Sequence, residues 1–533
     1  MISRLLTLSG LFAIYSCAIQ VPPQGGDKDI DPPKLLSAIP LTGSTGFSAR
    51  EIEFVFDENI QVKDLINKLV ISPPFKSNPL AKVRKNRLVV SFNDSLVPNT
   101  TYCFNFGDAI SDLNEGNQIK DFKYVVSTGS FIDSFSVSGK VIRAEDLKPE
   151  KSVLVMLYPT TADDSAPYNS LPAYFTRCTE KGIFAVENVA SGVYKVFALS
   201  DINQDYRYSD PSDRIAFIQQ SVTAGDSGIL LRSFAKRPLP AVAKATADGP
   251  GRINVFFNSP EPQASVRWRT LDPTLAISTV STSVSNDSVS IFYTRLNVDT
   301  AQVLVDFKDH TDTFDLTLKT YDPTRGSKSG FFLSVKPQTE NGYLAPGKPL
   351  AVRASHPVSV IDTSLMSLEQ EGTKVGIRSF VIADSSRRIF LLDADFFEEK
   401  RYTLEFLPGT FKDIYGRTND TLEESFQVKS VTDYGTLRLN LDITRPGNYL
   451  IQVVDEKDNV FRTESVRSDT VLFFQLLNPG TYRLKTILDE NGNGRWDPGD
   501  DLEHRLPELG MYHRDQVPVR ANWDVEIKWA IQP

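Results

Sequence analysis

The sharpest chemical signal in the sequence is Asp489-Glu-Asn491-Gly-Asn493-Gly494-Arg495-Trp-Asp497-Pro-Gly-Asp500. Counted from Asp489, side-chain oxygens fall at positions 1, 3, 5, 9 and 12, with Gly494 at 6 and the Arg495 carbonyl at 7. That is the spacing of a calcium loop, in which a glycine turns the chain sharply between oxygen donors. Asp500 stands where an EF-hand has its longer, bidentate Glu. Carboxylate and carbonyl oxygens suit a hard ion, and without His or Cys the loop suits neither zinc nor copper. The expected cofactor is therefore one structural Ca²⁺, because no open coordination position is paired with a general base. The alternative is an Asx-rich turn closed by its own backbone hydrogen bonds. A second stretch keeps positions 1, 3 and 5 as Asp201, Asn203 and Asp205, has no Gly at 6, and shifts its later acids to Asp210 and Asp213. It is a possible second metal loop.

Other chemistry is sparse. Residues 1–16 read as a secretory signal, with Arg4 before the apolar run Leu5 to Tyr15 and then the small Ser16. Cys17 follows directly, and Ile14-Tyr15-Ser16-Cys17 resembles a bacterial lipobox, which implies acylation of that thiol; the alternative is a plain signal with an incidental cysteine. Residues 17–33, rich in Pro, Gly and Asp, read as a flexible tether. Several acyl chains on one cysteine give stable membrane anchoring where a single chain does not. Cys103 and Cys178 fall in different modules and read as inert, and Cys103 should point away from the face that buries Tyr102, Phe104 and Phe106. Only four His occur, and His310, His356, His504 and His513 are scattered singly. No G-x-S-x-G, H-E-x-x-H, phosphate loop or C-x-x-C is present, so no organic cofactor is expected. The pairs Asp57-Glu58 and Asp108 with Asp112 could serve glycoside hydrolysis, but they sit at strand ends and turns, where capping explains them. Trp268, Trp496, Trp523 and Trp529 could stack sugars or serve as core and edge aromatics.

The elements that must position these residues are strands. Alternating runs such as Ile52-Glu-Phe54-Val-Phe56 and Tyr402-Thr-Leu404-Glu-Phe406 recur between turns rich in Gly, Pro, Asn and Asp, and no convincing amphipathic helix appears. A chain of 533 residues exceeds what one core serves, so several domains are expected. A net charge of −9 without any basic stripe disfavours nucleic acid as a partner. Gly192-Val-Tyr194-Lys-Val196 recurs as Gly480-Thr-Tyr482-Arg-Leu484, an offset of 288 by subtraction (480 − 192). This turn and strand resemble the small prealbumin-like, carboxypeptidase-regulatory-like β-sandwich, expected over 133–235 and 432–533. Asp31-Pro-Pro, Phe56-Asp57-Glu58-Asn59-Ile60, Ile71-Ser-Pro-Pro74, Asn99-Thr-Thr-Tyr102 and Asp108 to Gly116 resemble the bacterial Ig-like domain of S-layer-protein type, expected over 34–132. Its outline recurs at Arg353-Ala-Ser-His356-Pro-Val358, Lys400-Arg-Tyr402 and Phe411-Lys-Asp413-Ile-Tyr-Gly416, giving 330–431, and 236–329 reads as a further Ig-like sandwich.

The expected fold is thus all-β, a tandem array of five Ig-like and prealbumin-like sandwiches. From Cys17 through its Pro-Pro motifs the opening resembles Ig-like-domain lipoproteins of Bacteroidota, a family without a shared catalytic activity. The resemblance implies an outer-membrane location, lipid-anchored on the periplasmic or, by preference, the cell-surface face. The expected function is a non-enzymatic scaffold, structural or protein-binding, partnered by the membrane through its lipid and by other envelope proteins of an export, assembly or uptake machine. The rival readings are a surface glycan-binding lipoprotein and a glycoside hydrolase.

Overall fold

A computed structural model describes residues 29–532 apart from 239, 248–250, 261–263, 270–276, 284–285, 294–299, 319–329 and 337–341. Among these, α-helix is confined to two four-residue turns, Leu65–Lys68 and Ala166–Asn169; apart from short 3-10 turns such as Thr363–Leu365 and Val431–Asp433, the rest is strand, turn and loop. The alternation read in the sequence is the cause. In Glu51–Phe56 the side chains of Ile52, Phe54 and Phe56 are fully buried, and Arg401–Phe406 buries Tyr402, Leu404 and Phe406 in the same rhythm.

Three sandwiches share one strand order. In the first, Leu35–Ile39, Glu51–Phe56, Arg87–Ser91 and Leu80–Arg84 form a four-stranded sheet over Val70–Ser72, Thr101–Gly107 and Phe122–Ser127. In the next, Val242–Ala247, Arg252–Phe257, Ser288–Tyr293 and Ile277–Thr282 accompany Ser265–Arg269, Thr300–Asp306 and Thr311–Thr317. The third sets Leu333–Lys336, Leu350–Ala354, Ile389–Ala394 and Ile377–Ile382 against Met366–Gln370, Arg401–Phe406 and Leu422–Val428. With the principal strands lettered along the chain, each reads A-B-E-D over C-F-G, the order of an immunoglobulin constant domain. The first and third also share a tyrosine anchor: the phenol oxygens of Tyr102 and Tyr402 each accept the backbone N–H five residues earlier, of Val97 and Phe397, at 2.8 Å.

The other two sandwiches share a different plan. Leu154–Pro159 lies between Tyr174–Arg177 and Val193–Leu199, just as Tyr449–Val454 lies between Val460–Val466 and Gly480–Leu488, all antiparallel. Phe135–Arg143 pairs with Ile183–Val189, and Gly435–Ile443 with Thr470–Leu477. The repeated Gly-x-Tyr now has a mechanical meaning. Tyr194 donates its hydroxyl to the carbonyl of Ala190 at 2.9 Å and Tyr482 to that of Asn478 at 2.7 Å, each pinning the turn four residues back.

The chain divides into two compact units. One holds the described residues up to 141, with 149–209 and 216–231; the other holds 142–148, 210–215 and the described residues from 232 onward. In the first, Tyr102, Phe104 and Phe106 enter the aromatic core with Phe54 and Tyr124, as expected. Cys103 points the other way and is still buried, because the outer face of its sheet is covered: Ser72 accepts the Phe175 N–H at 3.0 Å, and Lys123 pairs with Glu187 at 2.6 Å. In the second, Tyr415 donates its hydroxyl to the Gly251 carbonyl at 2.6 Å, and the Arg388 guanidinium lies 5.1 Å from the centre of the Phe292 ring. His356 is buried between Phe292 and Tyr415, and this burial, with Arg417, Arg252 and Arg388 nearby, pushes its pKa down to about 3.

Candidate functional site

Strand Gly480–Leu488 delivers Asp489 to the mouth of the acid-rich loop, where its carboxylate organises the turn. It accepts the N–H groups of Asn493 at 3.1 Å and Gly494 at 2.8 Å and the side-chain amide of Asn448 at 3.0 Å. Gly494 takes φ +78° with open space around it, the left-handed conformation that glycine adopts at least cost. Asn491 and Asn493 each accept the N–H two residues on, and both donate their amides to Asp497 Oδ2. Asp489, Asn491, Asn493 and Asp497 therefore share one hydrogen-bonded set. Asp500 does not join it: its carboxylate caps the next turn by accepting the N–H groups of Leu502 at 3.0 Å and Glu503 at 3.1 Å. Arg495, expected to offer its carbonyl, brings its side-chain Nε to 3.7 Å from Asp497 Oδ1.

One residue outside the spacing pattern closes the loop. Glu508 is buried and accepts the N–H groups of Glu490 at 3.0 Å and Asp497 at 2.9 Å, while its carbonyl accepts the Trp496 indole N–H at 3.0 Å. Burial raises its pKa, the two N–H bonds oppose this, and the charges of Asp497 and Asp489 add to the rise. Glu508 sits eleven residues beyond Asp497, where no spacing rule marks it. Two cations also reach the loop: Arg237 Nη1 lies 3.2 Å from Asp497 Oδ1, and Lys236 Nζ lies 2.7 Å from Asp501 Oδ1. Among the described residues no three His, Cys, Asp or Glu side chains gather in a way that could hold a metal by themselves, and half of the hydrogen-bonded set above is asparagine.

The earlier loop repeats this backbone. Asp201 accepts the N–H groups of Asp205 at 3.0 Å and Tyr206 at 3.2 Å, the same fourth and fifth residues that Asp489 holds. Tyr206 stands at the position of Gly494 and takes φ +58°. Asn203 donates to Asp205 at 3.2 Å and to Ser209 at 2.8 Å. Burial, against the two backbone bonds, pushes the Asp201 carboxyl up to about 6. Asp210 accepts the Ser212 N–H at 2.7 Å, and Asp213 is fully buried; both belong to the second compact unit.

The remaining candidates take structural places. Cys17 lies outside the described residues. Cys103 and Cys178 are free thiols, pushed up by burial to about 11 and about 12. Asp57 accepts the Lys34 N–H, Asp108 pairs with Lys68 at 2.8 Å, and Glu58 has its pKa raised by burial and by Asp112. Asp112 is buried and accepts the N–H groups of Glu115, Gly116 and Asn117; these outweigh the opposing effect of burial and lower its pKa. Trp529 is buried in the last core, and Trp523 is exposed.

Residues 29–131 match the bacterial Ig-like domain family. Domains of this family occur in bacterial surface proteins. No curated protein matches the sequence. Among solved structures, titin domains A168–A170 align at 9% identity over 53% of this chain and 99% of that one, with a TM-score of 0.15. BcpA, the major pilin subunit of Bacillus cereus, aligns at 9% identity over 75% of this chain and 98% of that one, with a TM-score of 0.14. The eight N-terminal Ig domains of Down syndrome cell adhesion molecule align at 10% identity over 83% and 53%, with a TM-score of 0.14. The strand orders above, and not these superpositions, establish the sandwiches. Among the described residues no helix is long and apolar enough to cross a membrane.

Proposed function

We propose that this protein is a structural or protein-binding scaffold of the bacterial envelope, held to the outer membrane by lipid on Cys17 and serving an export, assembly or uptake machine. One observation supports the scaffold reading above all: among the described residues sandwich follows sandwich from Leu35 to Ile531, and the acids that could have served catalysis are engaged within them, Asp57 by the Lys34 N–H, Asp108 by the Lys68 ammonium and Asp112 by three N–H groups of its own turn. The test is Cys17→Ser in intact cells. Acylation needs the thiol, so the variant moves from the membrane fraction to the soluble periplasm or stays as uncleaved precursor; unchanged processing and membrane association refute the anchor. Crosslinking and capture from intact cells, with surface proteolysis, then names the partner and the leaflet. Trp523, 58% exposed, favours glycan binding as the second reading. Binding on a glycan array that is lost in Trp523→Ala would promote it.

We propose further that the loop of Asp489, Asn491, Asn493 and Asp497 takes one Ca²⁺. What supports this is the donor chemistry, the carboxylates of Asp489 and Asp497 and the side-chain oxygens of Asn491 and Asn493 spaced around the left-handed Gly494. An ion bound only in the folded state raises the unfolding temperature by mass action. Calorimetry of the full chain therefore shows one transition moving up with millimolar calcium and down with chelator, and Asp489→Ala abolishes the shift. An unchanged midpoint leaves only the turn.

A further inference from the structure

Phe234, near the end of strand Ile229–Ala235, and Lys236 and Arg237 just after it meet the acid-rich loop, all within the second compact unit. The carboxylates they meet are shielded, Asp501 with 4% and Asp497 with 10% of the side chain exposed. The Phe234 ring lies so close to Gly499 that a methyl there would stand 2.6 Å from two of its carbons. A second set of contacts joins the turn after Phe135–Arg143 to the C-terminal sandwich. Lys485 donates to the Glu145 carbonyl at 2.7 Å, from 340 residues away, and Lys148 stands 3.5 Å from Asp458, which also accepts the Tyr512 hydroxyl at 2.7 Å.

Shielded carboxylates are costly unless paired, so the loop is built for cationic occupants. Joining two distant segments costs entropy that grows only with the logarithm of the intervening length, so a few well-packed contacts suffice even over this separation. We propose that the loop of the C-terminal sandwich is an intramolecular latch whose occupants are Phe234, Lys236 and Arg237, so that the chain from 238 to 496, with its two Ig-like sandwiches, is pinned at both ends. The latch needs no metal: Arg237 approaches Asp497 at Oδ1, whereas the asparagines hold Oδ2.

The test is amide exchange of the full chain, read at Asp500 and Arg505, whose mutual backbone bonds of 2.7 and 2.8 Å close the loop. Lys236 is 30% exposed, so its replacement leaves the sandwiches folded. Lys236→Asp accelerates exchange at both amides at least tenfold, and the swapped pair Lys236→Asp with Asp501→Lys recovers most of the protection. Exchange unaltered in Lys236→Asp overturns the latch, whether or not chelator accelerates it in the parent chain. Loss of protection across every sandwich that the swap fails to recover overturns it as well.

Discussion

Gly499→Ala measures how tightly the acid-rich loop is packed. The added methyl stands 2.6 Å from Phe234 Cε1 and Cζ and 2.7 Å from the Arg505 carbonyl oxygen, where ordinary contact begins at 3.4 Å. The ring, itself fully buried, can give the missing ~0.8 Å only by displacing its neighbours. The carbonyl cannot, because it accepts the Asp500 N–H at 2.7 Å and moving it stretches that bond. Overpacking of this kind costs about 1–3 kcal/mol and part of a hydrogen bond about 0.5–1 kcal/mol more. The stiffer unfolded chain of alanine returns about 0.4–1 kcal/mol. The net loss is about 2 kcal/mol, which for a transition of roughly one hundred residues lowers Tm by about 10 °C. Differential scanning calorimetry of the full chain reads it. Phe234→Leu added to Gly499→Ala recovers the ring's share, a coupling that a double-mutant cycle isolates. The control is Gly492→Ala, with open space around it and φ +70°, which costs only left-handed strain of about 1 kcal/mol. A Gly499→Ala midpoint equal to or above that of Gly492→Ala refutes the packing.

Three further outcomes follow from the same structure. Gly251→Ala puts a methyl 2.4 Å from the Tyr415 hydroxyl at φ +85° and lowers the stability of the sandwich pair it joins by about 2 kcal/mol or more, measured by denaturant unfolding. His356, depressed to about 3 from an ordinary value near 6.5, stays neutral in the fold while the unfolded chain binds its proton, so its stabilisation is full above pH 6.5 and falls as pH drops toward 3; its ring resonances show no titration between pH 8 and 4, and a midpoint near 6 would refute the burial. Cys103 and Cys178 resist iodoacetamide at pH 8 in the native protein and react in urea, because thiols raised to about 11 and about 12 hold almost no thiolate.

How much of this was legible depends on whether a feature is local in the chain. The β-sandwich plan was legible because each strand carries its own alternation. The 288-residue repeat was legible because the glycine, the tyrosine and the carbonyl it reaches lie within five residues. The kinship of the first and third Ig-like sandwiches is firmer in structure than in sequence, since strand order and the Tyr102 and Tyr402 anchors survive where the neighbouring side chains changed. Long-range facts were not legible. Alternation put Cys103 on the reverse face, but only the fold covers that face, with Phe175 and Glu187 from elsewhere in the unit. Spacing placed Asp500 at a ligand position, yet its carboxylate is used by the turn that follows. Glu508, Lys236 and Arg237 reach the loop from segments that no spacing connects to it.

The two repeated loops show what the shared backbone requires and what it leaves free. Both hold an aspartate at the first position whose carboxylate accepts the fourth and fifth N–H groups beyond it, so the left-handed residue at the sixth position follows from the turn itself, whatever the loop binds. Glycine meets that requirement at Gly494 with nothing around it, which keeps the loop open to solvent or an ion. Tyr206 meets it at a strain of about 1–2 kcal/mol. Its ring is half-buried, packs edge-on against Phe175 at 4.9 Å and walls an apolar recess with Leu65, Ile66, Leu69 and Phe75, and half of a full burial contributes about 1–1.5 kcal/mol. The packing is of the same size as the strain, so a tyrosine is tolerated where the turn alone would select glycine. The same Asx turn thus leaves the left-handed position bare in the C-terminal sandwich and sets an aromatic wall there in the earlier one.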